Sequence, residues 1–167
     1  EHLDELSRLI TLENGKTFGE AKAEWRRAIE NVEVACGIPM MMQGYNLEDV
    51  TPGVDETLIR QPLGVVAAIV PWNSQLFLAA VKLGPALAAG NTIVLKASEQ
   101  AAAPMLEFAK LFAQAGFPPG VVNIISGLGE PCGRALTSHP LVAKIAFTGG
   151  PMAARHVLGN SAENFAP

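Results

Sequence analysis

Two short apolar runs, separated by a longer apolar segment, dominate the middle of the sequence. Residues Val65–Val70 and Thr92–Leu95 are rich in β-branched side chains, and Leu76–Ala89 between them has helical length and ends before Gly90. Short apolar runs without alternation are typical of strands that are buried on both faces, as in parallel sheets. The pattern therefore predicts a strand, a helix and a second parallel strand, which together form a βαβ unit.

The alternation of strand and helix patterns continues toward the end of the chain. Strands are predicted at Val121–Ile125 and Val142–Phe147, and helices at Pro104–Ala115, Glu130–Thr137 and Met152–Leu158. Such a regular alternation is typical of α/β proteins, in which right-handed crossovers place helices against a parallel sheet. We therefore predict the α/β class and a doubly wound parallel sheet.

The first third of the sequence has a different pattern. Apolar residues recur at three- and four-residue steps in His2–Glu13 and from Phe18 to about Cys36, which predicts two amphipathic packing helices. Gly37–Gly53 contains three successive methionines and is predicted to be a surface connection, while Glu56–Gln61 alternates like a half-exposed strand. One domain is thus predicted, with packing helices at 1–36, a connection and strand at 37–63, and βα repeats at 64–167.

Composition and charge exclude several classes of function. The net charge of −4 gives no electrostatic reason to expect nucleic acid or an anionic membrane as a partner. Lys82, Gly84 and Pro85 interrupt the most apolar segment, which argues against a membrane span. Cys36 and Cys132 form no disulfide framework, so we expect a cytoplasmic protein. Because the chain lacks an initiator Met and a terminating element, we also expect it to be truncated at both ends.

Glycine-bearing corners follow two of the predicted strands. Gly127 and Gly129 open a helix after a strand, and Gly133 follows, with a spacing one residue longer than the usual dinucleotide fingerprint. A tight turn that requires glycine explains this first corner equally well. Gly149-Gly150 form a second corner, where backbone N–H groups could face a pyrophosphate. Two such corners at the carboxyl edge of one sheet favour a phosphate-bearing ligand.

Polar residues at two further strand ends are candidates for chemistry. Lys96 and Glu99 could hydrogen-bond the hydroxyls of a ribose, or they could form a surface ion pair worth ~0–1 kcal/mol. Asn73 is either an oxyanion donor at a rigid strand end or a cap of the following helix. Cys132 is predicted to be a small buried filler, and no spacing typical of metal ligands occurs in the sequence.

Taken together, these motifs resemble the NAD(P)-dependent aldehyde dehydrogenase superfamily. The resemblance covers nearly the whole chain, through segments at Leu9–Lys16, Pro62–Val65, Pro71–Asn73, Gly84–Asn91, Lys96–Gln100, Ala115–Val121 and Phe147–Gly149. It implies a Rossmann-like cofactor-binding domain. Two further segments, Ala35–Pro39 and Ile59–Val65, resemble the methylmalonate-semialdehyde branch, which acylates CoA, whereas the sequence from Trp72 onward resembles hydrolytic relatives.

The resemblance also implies roles for individual residues. Asn73 would be the side-chain donor of the oxyanion hole, and Lys96 and Glu99 would hold the adenosine ribose. The other residues implied to bind the cofactor are Val70, Pro71, Trp72, Ser98, Gly129, Gly133, Phe147, Thr148, Gly149 and Gly150. Glu99 favours NAD, with NADP possible in some relatives, because a carboxylate repels a 2′-phosphate. The family has a serine where Gly150 stands and often a glycine where Ala154 stands.

For the whole enzyme, the resemblance implies NAD-dependent oxidation of an aldehyde or semialdehyde to an acid or an acyl thioester, by a homodimer or homotetramer. The catalytic cysteine and general-base glutamate of the family have no counterpart in this sequence, so we expect no catalytic domain and no turnover by this chain alone. The alternative is a non-catalytic nucleotide-binding or assembly module. A different Rossmann-type reductase is a third hypothesis, which the lengthened glycine spacing disfavours.

Overall fold

The computed structural model describes residues 2–167 and opens with two packed helices. Helix α1 (Leu3–Asn14) ends at Gly15, whose φ of 82° is the left-handed conformation that favours glycine at a helix end. Helix α2 (Phe18–Ala35) begins at a capping box, in which Thr17 and Glu20 satisfy each other's backbone N–H groups. Both predicted packing helices are therefore observed, with their bounds shifted by one residue.

The segment between these helices and the main sheet differs from the prediction. A short helix α3 (Ile38–Met41) and strand β1 (Tyr45–Thr51) replace the predicted surface connection. Strand β2 (Val54–Leu58) overlaps the strand predicted at Glu56–Gln61, but it begins two residues and ends three residues earlier. It pairs antiparallel with β1 as a two-stranded hairpin. Nearly every residue of the hairpin is exposed, so β1 has no buried face that could have revealed it as a strand.

The remaining chain forms the predicted βα repeats. In chain order these elements are β3 (Val65–Ile69), α4 (Gln75–Ala88), β4 (Thr92–Ala97), α5 (Ala103–Gln114), β5 (Val122–Ser126), α6 (Arg134–Thr137), β6 (Val142–Phe147) and α7 (Pro151–Ser161). A wide helical turn at Gly129–Gly133 precedes α6. Glu130 in this turn has extended backbone angles because it precedes Pro131, so the helix predicted at Glu130–Thr137 is regular only from Arg134.

The four strands of this sheet are all parallel and lie in the order β5-β4-β3-β6. The chain runs outward from β3 through β4 to β5 and then returns to add β6 on the other side of β3. The strand order therefore reverses at β3, and the crevice at the carboxyl ends of β3 and β6 is where ligands bind in open α/β sheets. The doubly wound parallel sheet predicted from the sequence is confirmed.

The apolar core lies on both faces of this sheet, but it is divided unequally. On one face, Val66, Ala68, Ile93 and Leu95 pack against α1, α2, α4 and α5. On the other face, a smaller cluster joins Ala67, Leu136, Val142 and Ala166. Alternate residues of β3 therefore enter opposite clusters, as the two-residue repeat of a strand requires. Within residues 2–167, no helix is both long enough and apolar enough to cross a membrane.

Candidate functional site

A cavity of about 490 Å³ opens at the carboxyl ends of β3, β4 and β6. It lies where the strand order reverses, between the chain segments that leave β3 and β6. All twelve residues predicted to bind the cofactor line it: Val70, Pro71, Trp72, Lys96, Ser98, Glu99, Gly129, Gly133, Phe147, Thr148, Gly149 and Gly150. Residues from four strand ends are thus brought to the wall of a single cavity.

Strand register explains why these residues meet. Ile69 is the Cα partner of Lys96 on one side and of Phe147 on the other, so three strand ends are level. Beyond this row, the backbone N–H of Val70 donates to the carbonyl of Lys96 at 3.2 Å, and that of Thr148 donates to the carbonyl of Ile69 at 3.0 Å. These bonds hold the three corners at one edge of the sheet.

Lys96 provides the buried charge of the site. Only 5% of this residue is exposed, and its Nζ lies 3.5 Å from Oε2 of Glu99 and 3.3 Å from the carbonyl of Ala97. An ammonium has three donors, so these long contacts leave it capacity for a ligand oxygen. The carboxylate of Glu99 is partly exposed beside it. The pair therefore offers donors and acceptors on one wall of the cavity, with the ammonium buried and the carboxylate at the surface. Its role toward a ribose stays a prediction.

The glycine corners bring backbone close to the cavity. A Cβ atom at Gly149 would lie 2.5 Å from the ring of Phe147, so a side chain at this position requires the ring to move. Gly150 is the cap residue of α7 and lines the cavity, and no side chain caps this helix end, so its first N–H groups have no partner in the helix. Such groups, with the helix dipole, favour a phosphate or another anion.

Lys82 is a site neighbour that the sequence reasoning did not identify. It extends from α4, and its Nζ donates to the hydroxyl of Thr148 at 2.6 Å. Partial burial lowers the pKa of Lys82 below its usual value, because desolvation disfavours the charged form. The signal available in the sequence was a single charged residue within the mostly apolar helix α4.

Asn73 lies beside the cavity but does not line it. It is exposed on the turn between β3 and α4, directly after Trp72, which does line the cavity and is 50% exposed. The residue at the cap position of α4 is Ser74, so Asn73 does not take the capping role. Asn73 is thus exposed next to a residue of the cavity wall, and its role as an oxyanion donor stays a prediction.

The helices α6 and α7 supply a wall that the sequence did not predict. Ala153, His156, Val157 and Asn160 recur at helical spacing and form the stripe of α7 that faces the cavity. Asn160 donates to the hydroxyl of Thr137 at 3.1 Å, which ties α7 to α6. The spacing of these residues is visible in the sequence. The sequence does not indicate which face of α7 packs toward the sheet and the cavity. Within the part of the chain that the structure describes, no group of acidic, His or Cys side chains could hold a metal ion.

Comparison with known sequences gives one family. The aldehyde dehydrogenase family matches residues 1–167. Among curated relatives, (Z)-2-((N-methylformamido)methylene)-5-hydroxybutyrolactone dehydrogenase of Acinetobacter baylyi is 54% identical over 161 residues, covering 96% of this chain and 33% of the relative. Malonate-semialdehyde dehydrogenase 3 of Geobacillus kaustophilus is 44% identical over 164 residues, covering 97% of this chain and 33% of that protein. The chain spans about a third of the length of these relatives.

Solved structures agree with this match. Betaine aldehyde dehydrogenase of Staphylococcus aureus, in complex with NAD⁺, superposes with a TM-score of 0.92 at 34% identity, covering 99% of this chain and 33% of that one. An NADP-dependent enzyme of E. coli gives a TM-score of 0.95 at 39% identity, covering 99% of this chain and 34% of that one. Both likenesses extend over the whole sheet and the helices around it.

Proposed function

Because the chain belongs to the aldehyde dehydrogenase family, we propose that it holds the nicotinamide dinucleotide of an NAD-dependent enzyme that oxidises aldehydes. One observation carries the proposal: the twelve residues implied by the resemblance line a single cavity at the reversal of strand order. In open α/β sheets, dinucleotides bind in a crevice of this kind, at the carboxyl ends of the strands where the strand order reverses.

The residues present fit such a cofactor in three respects. Buried Lys96, with the carboxylate of Glu99 at 3.5 Å, offers donors and acceptors for the two hydroxyls of a ribose. Gly129 has no heavy atom within 4 Å of a Cβ built on it, so a ligand can approach the backbone there. The amino-terminal end of α7 favours the negative charge of a pyrophosphate.

The bound nicotinamide would supply the acceptor for a hydride. Asn73 would donate its amide N–H to the oxygen of the aldehyde as negative charge develops on that oxygen, an interaction whose loss costs about 3–4 kcal/mol in other enzymes. The nucleophile and the general base are expected in a catalytic domain, since neither Cys36 nor Cys132 lines the cavity. Turnover therefore requires more than the residues of this chain.

The finer assignments rest on chemistry and on the relatives. The carboxylate of Glu99 at the ribose position favours NAD, because it repels a 2′-phosphate. The similarity to the NADP-dependent enzyme of E. coli leaves NADP as a second cofactor. A semialdehyde is the substrate class that the malonate-semialdehyde dehydrogenases suggest. We further propose a cytoplasmic enzyme that forms a homodimer or homotetramer.

The direct test is a calorimetric titration of the full chain with NAD, for the unmodified protein and for Glu99→Gln. Loss of a charged hydrogen-bond partner should weaken NAD binding about tenfold and narrow the preference for NAD over NADP. Glu107→Gln is the matched control, because Glu107 forms an ion pair with Lys110 at the same three-residue spacing and with similar exposure, away from the cavity. Equal NAD affinity for the unmodified protein and Glu99→Gln would contradict the ribose assignment.

A further inference from the structure

The turn that joins β3 to α4 is held by residues far away in sequence. Asn14, the last residue of α1, donates its side-chain N–H to the carbonyl of Trp72 at 2.8 Å. The two residues are 58 positions apart, so the contact exists only in the folded chain. It fixes the backbone immediately before Asn73, at the mouth of the cavity.

The start of α4, just after the turn, is capped by another helix. Ser74 occupies the cap position, but its side chain makes no capping hydrogen bond. Instead Glu24 of α2, which is only 4% exposed, accepts the backbone N–H of Leu76 at 3.0 Å and that of Phe77 at 3.4 Å. A carboxylate at this end of a helix satisfies orphan N–H groups and is stabilised by the helix dipole.

Lys16 links this cap to the turn itself. Its Nζ donates to the other carboxylate oxygen of Glu24 and lies 3.4 Å from the hydroxyl of Ser74. The lysine thus neutralises a carboxylate that would be costly to bury alone. Asn14 and Lys16 both belong to the segment Leu9–Lys16 that carries the family resemblance, yet neither residue lines the cavity.

We propose that Asn14, Lys16 and Glu24 form a brace that positions the turn Trp72–Ser74 for cofactor and substrate. The proposal rests on the proposed function of the cavity and adds residues that act on it indirectly. Asn73 lies between two fixed points, the carbonyl of Trp72 and the hydroxyl of Ser74, so the brace holds the backbone from which its side chain extends. The three residues are positioning residues, since they touch the turn rather than the ligand.

The chain carries two tryptophans that separate a local effect from a general one. Trp72 lies on the braced turn, whereas Trp25 is buried in the core with its ring edge-on to Phe108. In protein labelled with 5-fluorotryptophan, ¹⁹F NMR gives one resonance for each, and Trp72→Phe assigns them. Asn14→Ala should shift or broaden the Trp72 resonance and leave the Trp25 resonance in place.

A matched control is available for this variant. Asn31, on α2, also donates its side-chain N–H to a backbone carbonyl, that of Arg27 at 2.9 Å, and Asn31→Ala removes a comparable bond away from the cavity. Asn14→Asp keeps the shape of the side chain but cannot donate, and it should reproduce Asn14→Ala. Urea unfolding midpoints identify any variant that fails to fold. If the Asn14 variants do not fold, Glu24→Gln, with Glu107→Gln as its control, tests the contact of Glu24 with the start of α4.

The expected result is a change in the Trp72 resonance together with a loss of NAD affinity of roughly three- to tenfold, the size expected for one lost hydrogen bond that positions a site. Asn31→Ala should change neither. An unchanged Trp72 resonance in both Asn14 variants would overturn the brace. If the unmodified protein binds no NAD, the proposed function is wrong, and the resonances still decide whether the brace holds the turn.

Discussion

Two adjacent glycines at the end of β6 make different demands on the site. The ring of Phe147 occupies the space where a Cβ of Gly149 would be, with a separation of 2.5 Å. Gly150 has open space at the same position and an ordinary φ of −75°. A side chain at the first position therefore displaces the Phe147 ring, whereas the second position has space for a side chain such as the serine of the family.

We expect Gly149→Ala to weaken NAD binding about tenfold or more, because the methyl group forces the Phe147 ring to move within the cavity wall. Gly150→Ala should change the affinity by less than about twofold, since no atom opposes it. Calorimetric titration of both variants with NAD checks the difference. Similar losses for the two variants would show that the contact with Phe147 does not control the shape of this corner.

The residues of the site could be predicted from sequence only where a local motif carried them. The strand ends and glycine corners were identifiable because the residues of each motif lie within a few positions of one another. The contacts of Lys82 with Thr148 and of Asn14 with Trp72 join residues 66 and 58 positions apart. No local pattern specifies such a pair, because the partner is defined by how helices pack on the sheet.

Among the elements, α2 has the best-defined start. The hydroxyl of Thr17 accepts the N–H of Glu20, and the Glu20 carboxylate accepts the N–H of Thr17 at 3.0 Å and its hydroxyl at 2.7 Å. The hydrogen bond from the Thr17 side chain, together with that from its backbone, lowers the pKa of Glu20 below its usual value of 4.5. The capping box therefore depends on an ionised carboxylate.

This capping box predicts how stability changes in acid. Because the pKa of Glu20 is lower in the folded chain than in the unfolded chain, its contribution is present above pH 4.5 and is lost as the pH falls through the folded-state value. Glu20→Gln should remove this part of the acid dependence in urea unfolding curves, whereas Glu30→Gln, an exposed position further along α2, should not. Thr17→Ala should cost about 1 kcal/mol at neutral pH. Parallel acid dependence in the unmodified protein and Glu20→Gln would contradict this account.

Elements with a buried face could be predicted, and elements without one could not. Strands β3, β4 and β6 and helices α4 and α5 each present apolar residues to the core, so apolar runs or periodic apolar positions mark them in the sequence. Strand β1 exposes both faces and is defined by pairing with β2 across a turn at Gly53, whose φ is 79°. Its sequence, Tyr45–Thr51, carries no alternation of buried and exposed residues and was interpreted as a connection.

At the scale of the whole molecule, the sheet divides a well-packed half from a thinly packed one. Helices α1, α2, α4 and α5 cover one face with a continuous apolar cluster. The other face holds only the smaller cluster that includes Leu136 and Ala166, and the cavity opens on this side between β3, α6 and α7. A cofactor bound there would fill space that side chains leave open. The sequence predicted helices on both faces of the sheet. It did not predict that one face packs more apolar residues than the other, because this depends on which helix lies on which face.

This asymmetry predicts that the two halves differ in local stability. Ile93 is fully buried in the larger cluster. The substitution Ile93→Ala should therefore lower the global free energy of unfolding by about 2–5 kcal/mol. Leu136→Ala, in the smaller cluster, should instead speed amide hydrogen exchange in β6 and α7 while β4 and β5 keep their protection. Hydrogen-exchange mass spectrometry with and without NAD checks this expectation. NAD should restore much of the protection lost in Leu136→Ala, because a ligand that binds the folded state stabilises it. Uniform loss of protection across all four strands in Leu136→Ala would mean that the sheet opens as one unit, and that the cavity side has no independent motion.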